Sequence, residues 1–230
     1  MDESEEIIKM GIKSVVKDMV REMFYQFGIC GSLLRISCIC KHPAFFILVY
    51  HRVCASGSGR PYMATPVDIL EQHMKFIKDN FKVVSMIEGL KSIYGIKEKK
   101  ICVSVNLDDG YMDNYLYAYP VLKKYKVPAT IFLTTDYIGK NPVFWWDRVF
   151  NAASSDEHAT DRINAALRKE KESEIQRMIK EMEDKPPLLK KAQPSLMLGW
   201  EEIRKMKEDG INFGSHTKTH RNLCLLSDEE

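Results

Sequence analysis

Short apolar runs alternate with helix-periodic stretches along most of this chain. Runs with the length of buried strands lie at residues 44–50, 82–85, 101–107, 127–133 and 211–215. In the stretches between them, apolar positions recur every three to four residues, as on one helix face, at 68–81, 87–95, 112–125 and 200–208. Strands that alternate with helices favour a parallel sheet, either open or closed into a barrel. We therefore predict an α/β fold in which the run at 44–50 is a fully buried strand.

Two regions interrupt this rhythm. Residues 8–27 carry apolar side chains at helix spacing with basic residues between them, which predicts an amphipathic helix. Such a helix either packs on its own domain or lies on an anionic membrane surface. We assign 1–43 to this N-terminal helical segment and 44–230 to the main domain. Residues 144–198 are rich in charged, helix-periodic sequence, and we expect a helical insertion over one face of the sheet.

Composition and charge indicate which partners and which cellular location to expect. The chain has 230 residues, of which 45% are hydrophobic, and its charges are interspersed with a net value of +2, so we expect no nucleic-acid partner. The acidic N-terminus lacks the basic region of a secretory signal peptide. The apolar stretch 27–40 is too short for a membrane span and contains Arg35. These features predict a protein that is cytoplasmic or peripheral to the inner membrane.

Reactive side chains directly follow three of the predicted strands. His51 follows the first apolar run, Asp108 and Asp109 follow the third, and His216 follows the last, with His220 four residues further on. Ligands and chemistry gather at the carboxyl ends of parallel strands in α/β folds. We therefore expect these residues to share one site.

The residue types at these strand ends fit a metal-dependent hydrolase. One carboxylate and two imidazoles, here Asp109, His216 and His220, can hold a catalytic zinc that keeps a fourth position for water. Asp108 would then accept the proton of the attacking water, and His51 is placed to protonate the leaving group. A non-haem iron oxygenase also uses two histidines and one carboxylate. It explains neither the second aspartate nor the parallel α/β pattern.

Several blocks of the sequence resemble the polysaccharide deacetylases, the NodB-homology group or carbohydrate esterase family 4. The blocks are Asp108-Asp109-Gly110-Tyr111 with Asp113, the run at 127–132, and Gly214-Ser215-His216-Thr217 with His220. Three further blocks, at 50–53, 144–147 and 200–203, resemble a branch associated with bacterial surface polysaccharides. The resemblance implies a deformed (β/α) barrel that hydrolyses N- or O-acetyl groups on a carbohydrate, with a divalent metal, zinc being expected, as cofactor.

The resemblance also implies roles for individual residues. It assigns Asp108 as the general base and Asp109, His216 and His220 as metal ligands, in agreement with the roles inferred from the residue types. In a branch similar to poly-N-acetylglucosamine deacetylases, the acid histidine ends an early strand that closes with Tyr-His. His51 matches that position.

Four other side chains are predicted to contact the substrate, an acetylated carbohydrate. Tyr111 follows the Asp pair and, with Asp113, could orient it; Asp113 could instead cap the next helix. Thr134 ends a strand at the same edge of the sheet. Trp145 and Trp146 could stack on a sugar ring or pack in the core.

The last residues predict an incomplete domain. Residues 227–230 have the sequence of a helix N-terminus, a serine followed by acids, and the late arginine motif and closing strands of the family do not follow. We therefore expect a barrel of the polysaccharide deacetylase type that is truncated at its C-terminus. The alternative function is a non-catalytic remnant of the same fold that binds a glycan or a partner.

Overall fold

The computed structural model describes residues 45–57, 61–95, 102–153, 157–170, 172–183 and 195–227. The amphipathic helix expected within 1–43 lies outside these ranges. None of the described helices has the length and apolar character that a membrane span requires.

A parallel sheet forms the framework of the described chain. Its strands and a separate two-stranded pair are, in chain order, β1 (Phe45–Tyr50), β2 (Arg52–Cys54), β3 (Ala64–Pro66), β4 (Lys82–Val83), β5 (Cys102–Leu107), β6 (Ala129–Leu133) and β7 (Asn212–Ser215). The main sheet has the order β1-β5-β6-β7, with β4 beside the start of β5, and every pairing is parallel. The shorter pair consists of β2 and β3. The predicted α/β fold with a parallel sheet is confirmed, and the strand ends that carry the reactive residues lie at one edge.

Helices connect and cover these strands. They are, in chain order, α1 (Val67–Asn80), α2 (Met86–Gly95), α3 (Tyr119–Tyr125), α4 (Trp145–Ala152), α5 (Glu157–Leu167), α6 (Glu172–Glu183) and α7 (Trp200–Glu208). A π-helical turn, Asn114–Ala118, leads into α3. The main core forms where α1, α3 and α7 bury apolar side chains against β5 and β6, and it includes Leu70, Leu107, Leu122, Ile131 and Met206. This packing fixes the strand ends from which the site is built.

The expectation that the first strand is fully buried was wrong. Phe46, Ile47 and Val49 are 47%, 40% and 50% exposed. Within the described residues β1 pairs only with β5 and lies at the edge of the sheet, whereas β5 has a strand on both sides and is buried throughout. An apolar run is equally compatible with a central and an edge strand, because the neighbours of a strand, and not its own sequence, determine its burial.

The helical insertion has its own small core. Helices α4, α5 and α6 lie in the region where the sequence predicted it, and they bury Val149, Leu167 and Ile179 against one another. Tyr62, which lies just before β3, connects the insertion to the strands through α5. Its hydroxyl donates to Asp161 at 2.7 Å and accepts a hydrogen bond from Asn164 at 3.0 Å.

Candidate active site

A tight left-handed turn after β5 presents Asp109. Asp109 and Gly110 have φ angles of 72° and 82°. Aspartate tolerates this region better than most residues, because its short polar side chain causes little clash there. A Cβ atom at position 110 would lie 2.7 Å from Cδ2 of Leu133, so this turn also needs glycine for space. The turn buries the Asp109 side chain to 3% exposure at the carboxyl end of the sheet.

The two imidazoles lie on a tight loop after β7. The His216 N–H donates to the Leu133 carbonyl at 2.8 Å, which continues the pairing of β7 with β6. Thr217 and His220 both have left-handed backbones, with φ angles of 64° and 62°. The Thr217 hydroxyl accepts a hydrogen bond from the His220 N–H at 2.9 Å and closes the loop. As a result the two rings lie close together, with centroids 4.9 Å apart and their planes tilted by 59°.

Asp109, His216 and His220 converge on one point, and we call them the triad. Oδ1 of Asp109 lies 3.2 Å from Nε2 of His220 and 3.6 Å from Nε2 of His216. One ligand atom from each residue lies within 4.8 Å of the other two.

The triad fits a divalent metal. Oδ1 of Asp109 is buried and makes no aligned hydrogen bond with any described residue. A buried anionic oxygen without a partner is costly, and a cation would relieve that cost. Two imidazole nitrogens and one carboxylate oxygen form a donor set that zinc prefers. Burial alone would lower the pKa of His220, but Asp109 raises it above its usual value.

Asp108 and His51 lie next to the triad on neighbouring strand ends. The Asp108 N–H donates to the Tyr50 carbonyl at 2.9 Å, which joins the end of β5 to the residue before His51. Burial raises the pKa of Asp108, and the negative charge of Asp109 raises it further, whereas three nearby imidazoles, those of His216, His51 and His220, lower it. Burial has the opposite effect on a histidine: it lowers the pKa of His51. The negative charges of Asp109 and Asp108 oppose this but do not cancel it. A carboxylate with a raised pKa is a stronger base, and a histidine with a lowered pKa gives up its proton more readily.

A cavity of about 760 Å³ opens beside the triad. His51, Trp145 and Trp146 line it together with the triad. Arg168, which follows α5, and Arg221, which follows the second imidazole, also line it. This volume is in the range of sites for small organic ligands. Sequence reasoning missed Arg168, because no local pattern connects the end of an inserted helix with the strand ends.

The structure separates the four side chains that were predicted to contact substrate. Trp145 is half-buried on the cavity wall. Trp146 is largely buried: its ring centroid lies 4.4 Å from that of Phe144 and 4.6 Å from that of His220, and its indole N–H donates to the Tyr111 hydroxyl at 3.1 Å.

Two of these side chains do not reach the cavity. Tyr111 and Thr134 are each 1% exposed, and neither lines the cavity. Tyr111 is covered by the guanidinium of Arg52, which lies 4.5 Å from the centre of its ring. Tyr111 therefore contacts Arg52 and Trp146 and not the cavity.

Comparison with known proteins identifies relatives of this sequence. The family model described as polysaccharide deacetylase matches residues 95–230. YxkH of Bacillus subtilis, which bears a polysaccharide deacetylase name, is 41% identical over 95 residues, or 40% of this chain and 33% of the relative. The poly-β-1,6-N-acetyl-D-glucosamine N-deacetylase of Staphylococcus aureus is 40% identical over 73 residues, or 30% of this chain and 24% of the relative. The matched segments thus span a third or less of these relatives.

A solved structure shares the fold. The structure of IcaB from Ammonifex degensii superimposes with a TM-score of 0.50 at 20% sequence identity. The match covers 82% of this chain and 59% of the other. At this identity the likeness shows the fold alone.

Proposed function

Because the chain belongs to the polysaccharide deacetylase family, we propose that it is a metal-dependent hydrolase that removes N-acetyl groups from a carbohydrate. The observation that supports this most directly is the triad, in which a buried carboxylate oxygen, without an aligned hydrogen bond to any residue in the described ranges, lies close to two imidazoles. A second aspartate and a third histidine lie beside it, as a general base and a general acid would have to.

The triad would hold the metal through Asp109, His216 and His220. A bound zinc ion would polarise the acyl carbonyl and make a water molecule more acidic at neutral pH. The donor set favours zinc over hard cations such as magnesium, which prefer oxygen ligands alone.

Asp108 and His51 would move the protons of the reaction. Asp108 accepts a proton from the water that attacks the acetyl carbon, and its raised pKa suits this role. His51 then gives a proton to the sugar nitrogen as the carbon–nitrogen bond breaks, which releases acetate and a free amine. Because the two residues directly follow the paired strands β1 and β5, they lie close enough to act on one acyl group.

An acetylated amino-sugar polymer is the substrate that we propose. The relative from Staphylococcus aureus is named for a β-1,6-linked N-acetylglucosamine polymer. The cavity of about 760 Å³ is much larger than an acetyl group needs, and it continues past the triad to Arg168 and Arg221. Its size supports the binding of at least one whole sugar unit.

Acetate release from β-1,6-linked N-acetylglucosamine oligomers tests this function. The zinc-loaded chain is expected to release acetate and free amine in equal amounts, to lose that activity with a chelator and to regain it when zinc is restored. A chain that binds one zinc ion but releases no acetate from any acetylated amino sugar would contradict the proposal. That result would favour a non-catalytic remnant that binds a glycan or a partner.

Trp145 is proposed to contact the sugar. It is half-buried on the cavity wall, and its ring packs edge-on against Trp146 at 5.4 Å. Replacement of Trp145 by Ala is expected to raise KM about 2-fold to 13-fold, because an aromatic stacking contact is worth roughly 0.5–1.5 kcal/mol. The value of kcat should change little, and Trp145→Phe should restore most of the loss. An unchanged KM for the alanine variant would remove Trp145 from the binding site.

A further inference from the structure

A buried amide lies directly behind His51. Asn114 is fully buried at the start of the π-helical turn. Its Nδ2 donates to the His51 carbonyl at 2.9 Å and to Oδ1 of Asp113 at 3.1 Å. Both neighbours are acceptors, so the amide nitrogen, and not its oxygen, must face them. Asn114 therefore holds the backbone of His51 from a buried position that does not line the cavity.

Asp113 holds the next two residues of the same segment. Its Oδ1 accepts the Val53 N–H at 3.1 Å, and its Oδ2 accepts Nε of Arg52 at 2.9 Å. The side chains of this ion pair are only 18% and 12% exposed, so solvent screens their attraction weakly. Residues 51–53 are thus held at three points by two consecutive residues.

The same short segment carries the other reactive groups. Asp108 and Asp109 lie only a few residues before Asn114, and the Asp108 N–H already binds the carbonyl of the residue before His51. One stretch of chain therefore carries the proposed base and a metal ligand and also holds the backbone of the proposed acid. A shift of this stretch would move His51 together with Asp108.

We propose that Asn114 and Asp113 are positioning residues, which hold His51 at the distance from the acyl group that protonation of the leaving nitrogen requires. This inference rests on the proposed function and on the role of His51 within it. Neither residue contacts the cavity, so both act through His51. Outer contacts that orient a reactive side chain are typically worth about 10-fold to 100-fold in activity.

Two substrates with different leaving groups can distinguish a positioning role from general structural support. An amine is a poor leaving group and needs a proton, whereas 4-nitrophenolate leaves without one. Loss of His51 placement should slow hydrolysis of the N-acetyl oligomer and spare hydrolysis of 4-nitrophenyl acetate. Damage to the triad or to the fold should slow both reactions, because both need the activated water.

The test compares Asn114→Ala, His51→Ala and the wild-type chain on both substrates. For Asn114→Ala we expect kcat on the oligomer to fall about 10-fold to 100-fold, with hydrolysis of the nitrophenyl ester and zinc stoichiometry preserved. His51→Ala should show the same selectivity with a larger loss. Asn164→Ala is a matched control, because it also removes a buried amide donor, to Tyr62, but within the insertion. It should lose stability without any change in the ratio of the two rates.

A gentler variant covers the case in which Asn114→Ala does not fold. Asp113→Asn keeps the shape of the side chain but removes the charge that pairs with Arg52, and a smaller loss with the same selectivity is expected. Equal losses on both substrates in the folded variants would overturn the positioning role. The positioning role would also be overturned if His51→Ala slowed only the oligomer reaction while the Asn114 and Asp113 variants showed no such selectivity. In that case the proposed function would still stand. A wild-type chain that is inactive on both substrates would overturn the function and this inference together.

Discussion

Replacement of Asp108 by Asn is expected to reduce acetate release by about 100-fold to 10,000-fold, the range that a general base contributes. The amide has nearly the same shape but cannot accept the proton of the attacking water. The hydrogen bond from the Asp108 N–H to Tyr50 involves only the backbone and should persist. Zinc should still bind at one ion per chain, because the ligands of the triad are untouched.

The measurement is acetate release alongside zinc content on the same preparation. Asp79→Asn is a suitable control, since Asp79 pairs with Lys75 on the exposed face of α1 and does not line the cavity. That variant should retain full activity, because exposed ion pairs contribute little. Wild-type rates in Asp108→Asn would show that another group accepts the proton.

Replacement of Asp109 by Asn is expected to weaken zinc binding by more than about 100-fold, because a direct ligand contributes more than the outer contacts that support it. Asparagine tolerates the left-handed backbone at this position, so the turn should be kept. What is lost is the negative charge on an oxygen that makes no aligned hydrogen bond with the described residues. Both acetate release and hydrolysis of activated esters should fall, which distinguishes this variant from those that displace His51.

Thermal unfolding with and without zinc measures the same effect independently of activity. A ligand that binds only the folded state raises its stability, so zinc should raise the Tm of the wild-type chain and leave that of Asp109→Asn nearly unchanged. His216→Ala should behave like Asp109→Asn. His73→Ala is the matched histidine control, because His73 bonds the Tyr50 hydroxyl outside the triad. Equal stabilisation by zinc in Asp109→Asn and the wild type would place the metal elsewhere.

The proposed site combines strain with burial in a short length of chain. Four residues with positive φ, Asp109, Gly110, Thr217 and His220, lie in the two loops that form the triad. Positive φ angles in residues other than glycine cost free energy and persist where surrounding contacts hold them. Here the packing of Leu133 under Gly110 and the hydroxyl of Thr217 provide such contacts.

Periodicity in the sequence was sufficient to predict most elements of this fold. The helix expected at 68–81 is α1, and β5, at Cys102–Leu107, lies within the strand expected at 101–107. These elements are local, because the spacing of apolar residues determines which backbone geometry can bury them on one face. The convergence of the triad was predictable for a related reason, since parallel strands bring their carboxyl ends to one edge.

Tertiary packing alone determined what lies around those strand ends. Nothing in the apolar run of β1 distinguishes an edge strand from a central one, and nothing beside Tyr111 shows that Arg52 and Trp146 cover it. The amide of Asn114 reaches His51 across 63 positions of sequence. Burial and side-chain partners are properties of distant segments brought together by folding. The sequence by itself therefore determined the helices and strands and the reactive residues. The three-dimensional packing determined which side chains reach the cavity and which ones hold the reactive residues in place.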